Sequence, residues 1–492
     1  MQQDSPYFLS LYSAAAVRAM DSNAIDNIGI SGSLLMKRAG RAVFEQLQVR
    51  WPDCKEITVY CGGGNNGGDG YVVAAIAAQR GLRARVAWLV APDELKGDAR
   101  AAMEFARQEG VEFLPRTQLD DPAGVLVDAM LGTGFSGELR AEFAASVQQV
   151  NSSGLPVIAA DIPSGVEADT GHAPLAVRAD CTVTFIGRKA GLYTGAGGAC
   201  AGEIVFDDLG VPAEVREGLE PLAHQYGGGV HLAPRPADAH KNLYGTVLVV
   251  GGDSGYGGAA MIAAEASART GAGLVRLATR PEHVNATLAR VPEVMASGVV
   301  SGQELEPLLE APSVIALGPG LGQRPWGEQM LARAGRAQAP LVVDADALNI
   351  LAGGRVLAGV RRDDWVLTPH PGEAARLLGC SSAEIGRDRL GAAKALQEKF
   401  SGVVLLKGYG TVIAHKRGCE IVRAGNPGMA SGGMGDLLTG IIAGLMAQGL
   451  SPLEAAYQGA WVHGEAADRV AAQGMRGMLA TDLLPVVREI IG

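Results

Sequence analysis

The sequence predicts an α/β protein of two domains, each built on a parallel sheet with covered faces. Three observations predict it. At 492 residues the chain is about three times the length of a common single domain, so more than one core is expected. Short apolar, strand-prone runs alternate with helical segments through most of the chain, as in sheets whose parallel strands are joined by crossover helices. The alternation lapses once, in EPLAHQYGGGVHLAPRPAD, where proline and glycine punctuate a stretch with neither helical nor strand period. The expected organisation is a first domain over 1–220, a linker over 221–235 and a second domain over 236–492.

In the first domain EITVYC (Glu56 to Cys61) reads as a strand and CGGGNNGGDG as a loop. DGYVVAAIAAQRG then reads as a helix closing at Gly81. RARVAWLV, a helical stretch near Arg100 to Glu109, GVLVDAML, a polar helix and PVIAADIPSG continue the pattern. After the lapse come TVLVVGG, an Ala-rich helix from Gly258 to Thr270, SVIALGPGLG, PLVVDADALN, WVLTPHPGE, VVLLKGYGTVIA and a glycine loop entering DLLTGIIAGLMAQG. No motif recurs between the halves, so they read as a fusion of different units.

Composition narrows the function. Hydrophobic residues make up 48% and charged residues 19%, which is globular, and a net charge of -10 disfavours nonspecific nucleic-acid binding. Six cysteines without zinc-finger or CxxC spacing suit buried thiols in a reducing compartment. The N-terminal stretch lacks the basic region and long apolar core of a signal peptide, and no later run is apolar enough to span a bilayer. A cytoplasmic enzyme is expected, with no nucleic-acid or membrane partner.

The glycine loop contains GxGxxG through Gly62, Gly64 and Gly67 between a strand and a helix, the setting of a dinucleotide site. Alone the match is weak: the acidic residue that such a site wants after the next strand is late, at Asp93. A turn that only lets helix and strand pack closely leaves Asn65, Asn66 and Asp69 unexplained. Two further strands end in polar loops, with Asp128 in VLVDAMLGTGFSGE and Asp161 and Ser164 in VIAADIPSGVEADTG. Ligands of open parallel sheets sit at the carboxyl ends of strands, so these loops are expected to converge on one crevice. Oxygen ligands there suit a hard cation, and glycine-turn amides suit a phosphate. Individually, Asp128 and Asp161 also read as helix caps or turn residues.

CGGGNNGGDG, DAMLGTGFSGE, DIPSGVEADTG and GLYTGAGGACAGEIVFDDLGVP resemble the N-terminal, Rossmann-like domain of the NAD(P)HX epimerases, which interconvert the R and S epimers of hydrated NADH or NADPH. The resemblance implies that Asn65, Asn66, Gly67, Gly68 and Asp69, with Gly132, Thr133, Gly134, Phe135, Ser136, Gly137 and Glu138, contact NADHX or NADPHX. It implies a potassium ion (K+) on Asn66, Asp128 and Ser164, and makes Asp161 the acid/base residue. An aspartate suits that role, because a carbon bearing a hydroxyl next to a ring nitrogen is epimerised most easily by losing and regaining water.

In the second half GGMGD (Gly432 to Asp436) precedes an apolar helix, so its amides and the helix dipole face an anion. A carboxylate beside an anion is costly unless it takes a proton, binds a metal or is held by donors, which favours a chemical role for Asp436 over a cap. A similar loop serves phosphoryl transfer in kinases of the ribokinase-like fold. KGYGT adds Lys407, Gly408, Tyr409, Gly410 and Thr411 on a tight turn, which also reads as a surface hairpin. Together with DAHKNLYGTVLVVGGDSGYGGAAMIAAEASARTGAGLVRLAT, ALGPGLG, VVDADALNIL and LTPHPGEAARLLG, these stretches resemble the ADP-dependent NAD(P)HX dehydratases over most of Pro236 to Gly492.

That resemblance places Ala259, Gly322, His370 and Asp436 on the hydrated nucleotide. It places Lys407 to Thr411 and Gly435 on ADP, with Mg2+ expected on the phosphates. KNLYG stands at Lys241 to Gly245 where the family commonly has KGDFG, so that loop is left out of the site. His370 also reads as a histidine satisfied between two prolines. Asp344 and Asp346 read as loop-orienting or helix-capping residues and are excluded. A homo-oligomer is expected. The alternative is a ribokinase-like small-molecule kinase whose N-terminal domain only binds.

Overall fold

The computed structural model describes residues 7–492, and the chain divides into two compact units. One is Ser10–Ala223; the other is His224–Gly492 together with residues 7–9.

The first unit carries seven parallel strands in the spatial order Glu112–Pro115, Arg83–Trp88, Glu56–Cys61, Val125–Ala129, Val157–Ala160, Cys181–Phe185 and Glu203–Asp207. The strand earliest in sequence lies inside the sheet, so the chain builds outward first one way and then the other. The switch falls between Glu56–Cys61 and Val125–Ala129, the crevice where open α/β sheets hold ligands. The four residues Ile57, Val59, Val125 and Val127 are buried on these two strands, as both-face coverage requires.

Helix Asn65–Gln79 begins inside the glycine loop and buries Tyr71, Val72, Val73, Ala74 and Ala75 in succession. Its first turn approaches neighbouring backbone so closely that side chains do not fit. A Cβ on Gly67 would lie 2.1 Å from the Gly62 carbonyl oxygen, and one on Gly62 would lie 1.9 Å from that of Met130. These contacts answer why the loop gives up side chains: three backbone segments meet there.

The second unit is centred on parallel strands Met295–Gly298, Leu274–Thr279, Thr246–Val250, Val314–Leu317, Leu341–Val343, Trp365–Leu367 and Val403–Leu406, in that spatial order. Thr411–His415 and Gly418–Val422 extend the sheet by antiparallel pairing. Helices Gly257–Arg269 and Met434–Ala447 pack tightly: a Cβ on Gly440 would sit 2.2 Å from the Ala263 carbonyl oxygen. The Ala-rich and Gly-rich composition of these helices permits that approach.

The stretch expected as a linker contains a strand, Ala223–Tyr226, paired in parallel with Gly418–Val422 through His224 opposite Glu420 and Gln225 opposite Ile421. Four residues of mixed polarity show no period in sequence. Tertiary contact supplies what the pattern lacks, because the Tyr226 ring packs 5.3 Å from Phe8 and 4.6 Å from Tyr457.

Candidate active sites

In the first unit the loops at the carboxyl ends of three strands converge, as expected from their motifs. They line a cleft of about 670 Å³. Asn65, Asn66, Asp69, Gly132, Thr133, Gly134, Phe135, Ser136, Glu138 and Asp161 all border it. Gly67, Gly68 and Gly137 are not on its wall. Gly67 and Gly68 are buried in the helix's first turn, and the Gly137 amide donates to Glu167 Oε1 at 3.0 Å.

Asp128 and Ser164 are buried and bonded to each other. Ser164 Oγ donates to Asp128 Oδ1 at 2.6 Å, and its amide donates to Oδ2 at 2.7 Å. Burial nevertheless pushes the Asp128 carboxyl up to about 6, against the lowering by these hydrogen bonds. Asn66 Nδ2 donates to the Leu131 carbonyl at 2.8 Å, and the Leu131 amide donates to Ser164 Oγ at 2.9 Å, so one backbone segment ties the three side chains together. Asn66 Oδ1 is buried with no hydrogen-bond partner. An unpaired buried amide oxygen, tied through Leu131 to a buried carboxylate and hydroxyl, is a set of oxygen donors of the kind that suits a hard cation.

Asp161 follows strand Val157–Ala160 with φ of 63°, a left-handed conformation rare for a residue other than glycine. Its amide donates to the Val183 carbonyl at 2.7 Å, which pins the turn. Its Oδ1 accepts from the Phe185 amide at 3.2 Å and from the Lys189 ammonium. Lys189 is fully buried, donating also to Thr184 Oγ1 at 3.1 Å and to the Phe185 carbonyl at 2.9 Å. Burial raises Asp69 well above the usual carboxylate range, helped by Asp161 and Asp21 and opposed by Lys189. Motif reading missed both Lys189 and Asp21. The signal for Lys189 was a basic residue just after the apolar strand CTVTF, where a solvated charge is out of place.

In the second unit Asp436 occupies the first turn of helix Met434–Ala447, after Gly433 at φ 89°. Burial pushes its carboxyl up to about 7; Asp344 adds to the rise, Lys407 opposes it and Asp346 adds again. The KGYGT turn joins Val403–Leu406 to Thr411–His415 as a hairpin, but its lysine points inward. Lys407 Nζ lies 2.7 Å from Asp344 Oδ1 and 4.0 Å from Glu373 Oε2. Burial lowers the Lys407 pKa, yet Asp344 and Glu373 outweigh it and the net direction is upward.

The reading of Asp344 as a helix-capping residue is corrected here. It stands at the N-cap position of Ala345–Ala352 without a side-chain capping bond, and Oδ2 instead accepts from Thr439 Oγ1 at 2.8 Å. A cap and an inward-pointing ion-pair partner look alike in sequence; only the path of the distant Lys407 turn distinguishes them. Asp346 does orient a loop, accepting from the Gly322 amide at 3.0 Å.

Ala259 and the ALGPGLG loop are neighbours: a Cβ on Gly320 would lie 3.2 Å from that of Ala259, and one on Gly322 2.8 Å from Asp253 Oδ2. A Cβ on Gly435 would be 3.3 Å from Lys407 Nζ, which brings the KGYGT turn to the GGMGD loop. His370 caps helix Pro371–Leu378, with Nδ1 accepting from the Gly372 amide at 2.9 Å, so half of its ring is committed structurally. Burial, with Lys407, shifts its pKa downward. Nε2 remains 3.4 Å from Glu373 Oε1.

A doubly wound domain with a cleft at its switch point, followed by a domain with a partly buried, raised-pKa aspartate in the first turn of a helix entered from a glycine loop, is the architecture of a two-domain enzyme. Residues 32–191 match the model of the YjeF-related protein N-terminus, and 247–488 match that of NAD(P)H-hydrate dehydratase. The chain is 46% identical to a bifunctional NAD(P)H-hydrate repair enzyme Nnr of Coxiella burnetii, over 98% of this chain and 99% of the relative. It is 42% identical to that of Escherichia coli, over 98% and 94%. It belongs to the bifunctional NAD(P)H-hydrate repair enzymes, with an epimerase N-terminal and a dehydratase C-terminal domain. Among solved structures, the ADP/ATP-dependent NAD(P)H-hydrate dehydratase of Bacillus subtilis, co-crystallised with ATP/Mg2+, is 29% identical with a TM-score of 0.46, covering 53% of this chain and 95% of that one.

Proposed function

We propose that Asp161 epimerises R- and S-NAD(P)HX in the first unit and that Asp436 drives ADP-dependent dehydration of the S form in the second. The observation that carries this reading is one partly buried aspartate in each unit, Asp161 at a strand end on the cleft that the glycine loop also lines and ion-paired to a buried lysine, and Asp436 in the first turn after a glycine loop and raised to about 7. A carboxyl near the working pH exchanges protons efficiently in both directions.

In the second unit Asp436 takes the proton of the substrate hydroxyl, whose oxygen attacks the terminal phosphate of ADP. The hydroxyl thereby becomes a phosphate ester. The ring nitrogen's electrons expel inorganic phosphate and, with loss of a ring proton, restore the reduced nicotinamide; AMP is the other product. Lys407 through Thr411 and Gly435 are assigned to the nucleotide, and Ala259, Gly322 and His370 to the hydrated substrate. Bound Mg2+ supplies charge neutralisation on the phosphates.

In the first unit Asn65 through Asp69 and Gly132 through Glu138 are assigned to NADHX or NADPHX. Asn66, Asp128 and Ser164 are assigned to K+, which supplies charge compensation for the buried Asp128 carboxylate. The reading includes a homo-oligomer in the cytoplasm. No helix among the described residues is long and apolar enough to cross a membrane, and all six cysteines are unpaired.

The test incubates full-length protein with mixed NADHX epimers, magnesium, and ADP or ATP, following the return of reduced-nicotinamide absorbance. Complete recovery of both epimers with ADP, and AMP as product, is expected. A stable phosphorylated product, or recovery limited to the S form, overturns the reading.

A further inference from the structure

The N-terminal cleft holds an acidic residue that no motif singled out. Asp21 lies on helix Ala14–Asp26, partly buried, between the buried Met20 and the neighbouring turn that carries Val17 and Ala24 into the core. The helix start is fixed: Ser13 Oγ accepts from the Ala16 amide at 3.1 Å, and Asp169 Oδ1 accepts from the Ala14 amide at 2.6 Å. Asp21 borders the same cleft as Asp161 and Lys189 but is carried by a helix rather than a strand end. Among the described residues its carboxyl makes no hydrogen bond and no ion pair.

Resting on the epimerase reading above, we propose that Asp21 is the second proton-handling residue of this centre, with Lys189 as the positioning residue that orients Asp161. Asp161 Oδ1 is occupied by three donors, namely Lys189 Nζ, the Phe185 amide and, at 3.4 Å, Thr184 Oγ1. Only Oδ2 is left for a substrate. Inversion at the hydroxyl-bearing carbon needs proton delivery on one face and proton removal on the other, and a single oxygen reaches one face.

The step balances with two carboxyl groups. One, protonated, gives its proton to the departing hydroxyl as the C–O bond breaks and the ring nitrogen's lone pair forms a C=N bond, releasing water. A water molecule then adds to the opposite face, forming a new C–O bond, while the electron pair returns to nitrogen and the other carboxylate takes the water's proton. One proton has moved between the carboxyls and no electrons have been gained or lost. The reverse epimerisation runs with the two roles exchanged.

The electrostatics agree with the geometry. Burial pushes Asp21 up to about 6, with Lys189 lowering it and Asp161 raising it. Asp69, from helix Asn65–Gln79, also interacts with it, and the remaining charged groups on the cleft wall are Arg18, whose Nη1 donates to the Thr133 carbonyl at 3.4 Å, with Asp98, Glu138 and Arg140. A group near 6 is present in both protonation states in mildly acidic to neutral solution, as exchanged roles require.

The test follows the conversion of R-NADHX to the S epimer by chromatography, without ADP, for the full chain across a pH series. Asp21→Asn is expected to lose about 100-fold or more in epimerisation, within the ~10²- to 10⁴-fold range of a lost acid/base group, and to lose one limb of the wild-type pH profile. Dehydration of S-NADHX is expected to be unchanged in the same protein. Should Asp21→Asn fail to fold, Asp21→Glu carries the test, with retained activity and a displaced limb expected. A wild-type rate and pH profile for Asp21→Asn, or an undisplaced profile for Asp21→Glu, while Asp161→Asn is inactive, overturns the role of Asp21 and leaves the epimerase reading standing. Absence of epimerisation by the wild-type chain above the spontaneous rate overturns both.

Discussion

Replacing Asp344 by Asn removes one charge from beside Lys407 and Asp436, in the proposed dehydratase site, while keeping the shape of the side chain. Asp344 is 1% exposed and joins Lys407 at 2.7 Å to Thr439 at 2.8 Å. Its charge raises the pKa of Asp436, second only to burial. A Cβ on Gly435, the residue before Asp436, would lie 3.5 Å from Asp344 Oδ2, so the two carboxyls are close neighbours, and at an effective dielectric near 20 even a separation of about 16 Å leaves about 1 kcal/mol between two unit charges. That corresponds to about one pKa unit. The sign follows: loss of a neighbouring negative charge favours ionised Asp436, so its pKa falls from about 7 toward, but not to, the ordinary carboxylate value, because burial persists. Asp436 must be ionised to accept the hydroxyl proton. The acid limb of kcat for S-NADHX dehydration at saturating ADP therefore moves down by about one unit. The absolute rate falls as well, since Lys407 loses its charged anchor. Asp344→Ala, which also deletes the hydrogen bonds, is expected to destabilise the second unit by about 3 kcal/mol, the scale for breaking a buried pair. A pH–rate series and urea melts measure both effects. An acid limb that stays in place or moves upward would refute the electrostatic coupling.

Asp161→Asn is expected to abolish epimerisation and spare dehydration; equal loss of both activities in one preparation contradicts the assignment of separate centres. Asn66→Ala removes the unpaired buried oxygen at the proposed cation site. Its epimerisation is expected to lose the stimulation by K+ over a bulky organic cation that the wild type shows, and undiminished stimulation rules the site out. Gly440→Ala forces a methyl group to 2.2 Å from the Ala263 carbonyl oxygen, so the helix pair must separate. A loss of about 1 to 3 kcal/mol in chemical denaturation is expected, and a neutral result shows that the pair yields freely.

Much of the site was legible in the chain because its chemistry is concentrated in short motifs. The glycine loop, DIPSG and GGMGD each place backbone amides and an acidic side chain at a strand end or helix start, and strand alternation brings such ends to one edge of a sheet. The helices expected near Arg100 and Gly258 occur as Gly97–Gln108 and Gly257–Arg269, since apolar spacing and caps are local. The strand at Ala223–Tyr226 was not legible, because its register is supplied by Glu420 and Ile421 nearly two hundred residues away.

Residue by residue, the sequence alone determined which groups are available: the glycines that let Gly62, Gly67 and Met130 backbones meet, and the aspartates placed beside them. It did not determine their partners. That Lys189 pairs with Asp161, that Lys407 turns inward onto Asp344 rather than outward from its hairpin, and that Asp21 faces the epimerase cleft were decided by tertiary structure. The physical reason is that a charge's effect depends on distance and burial, and both are set by segments far apart in the chain.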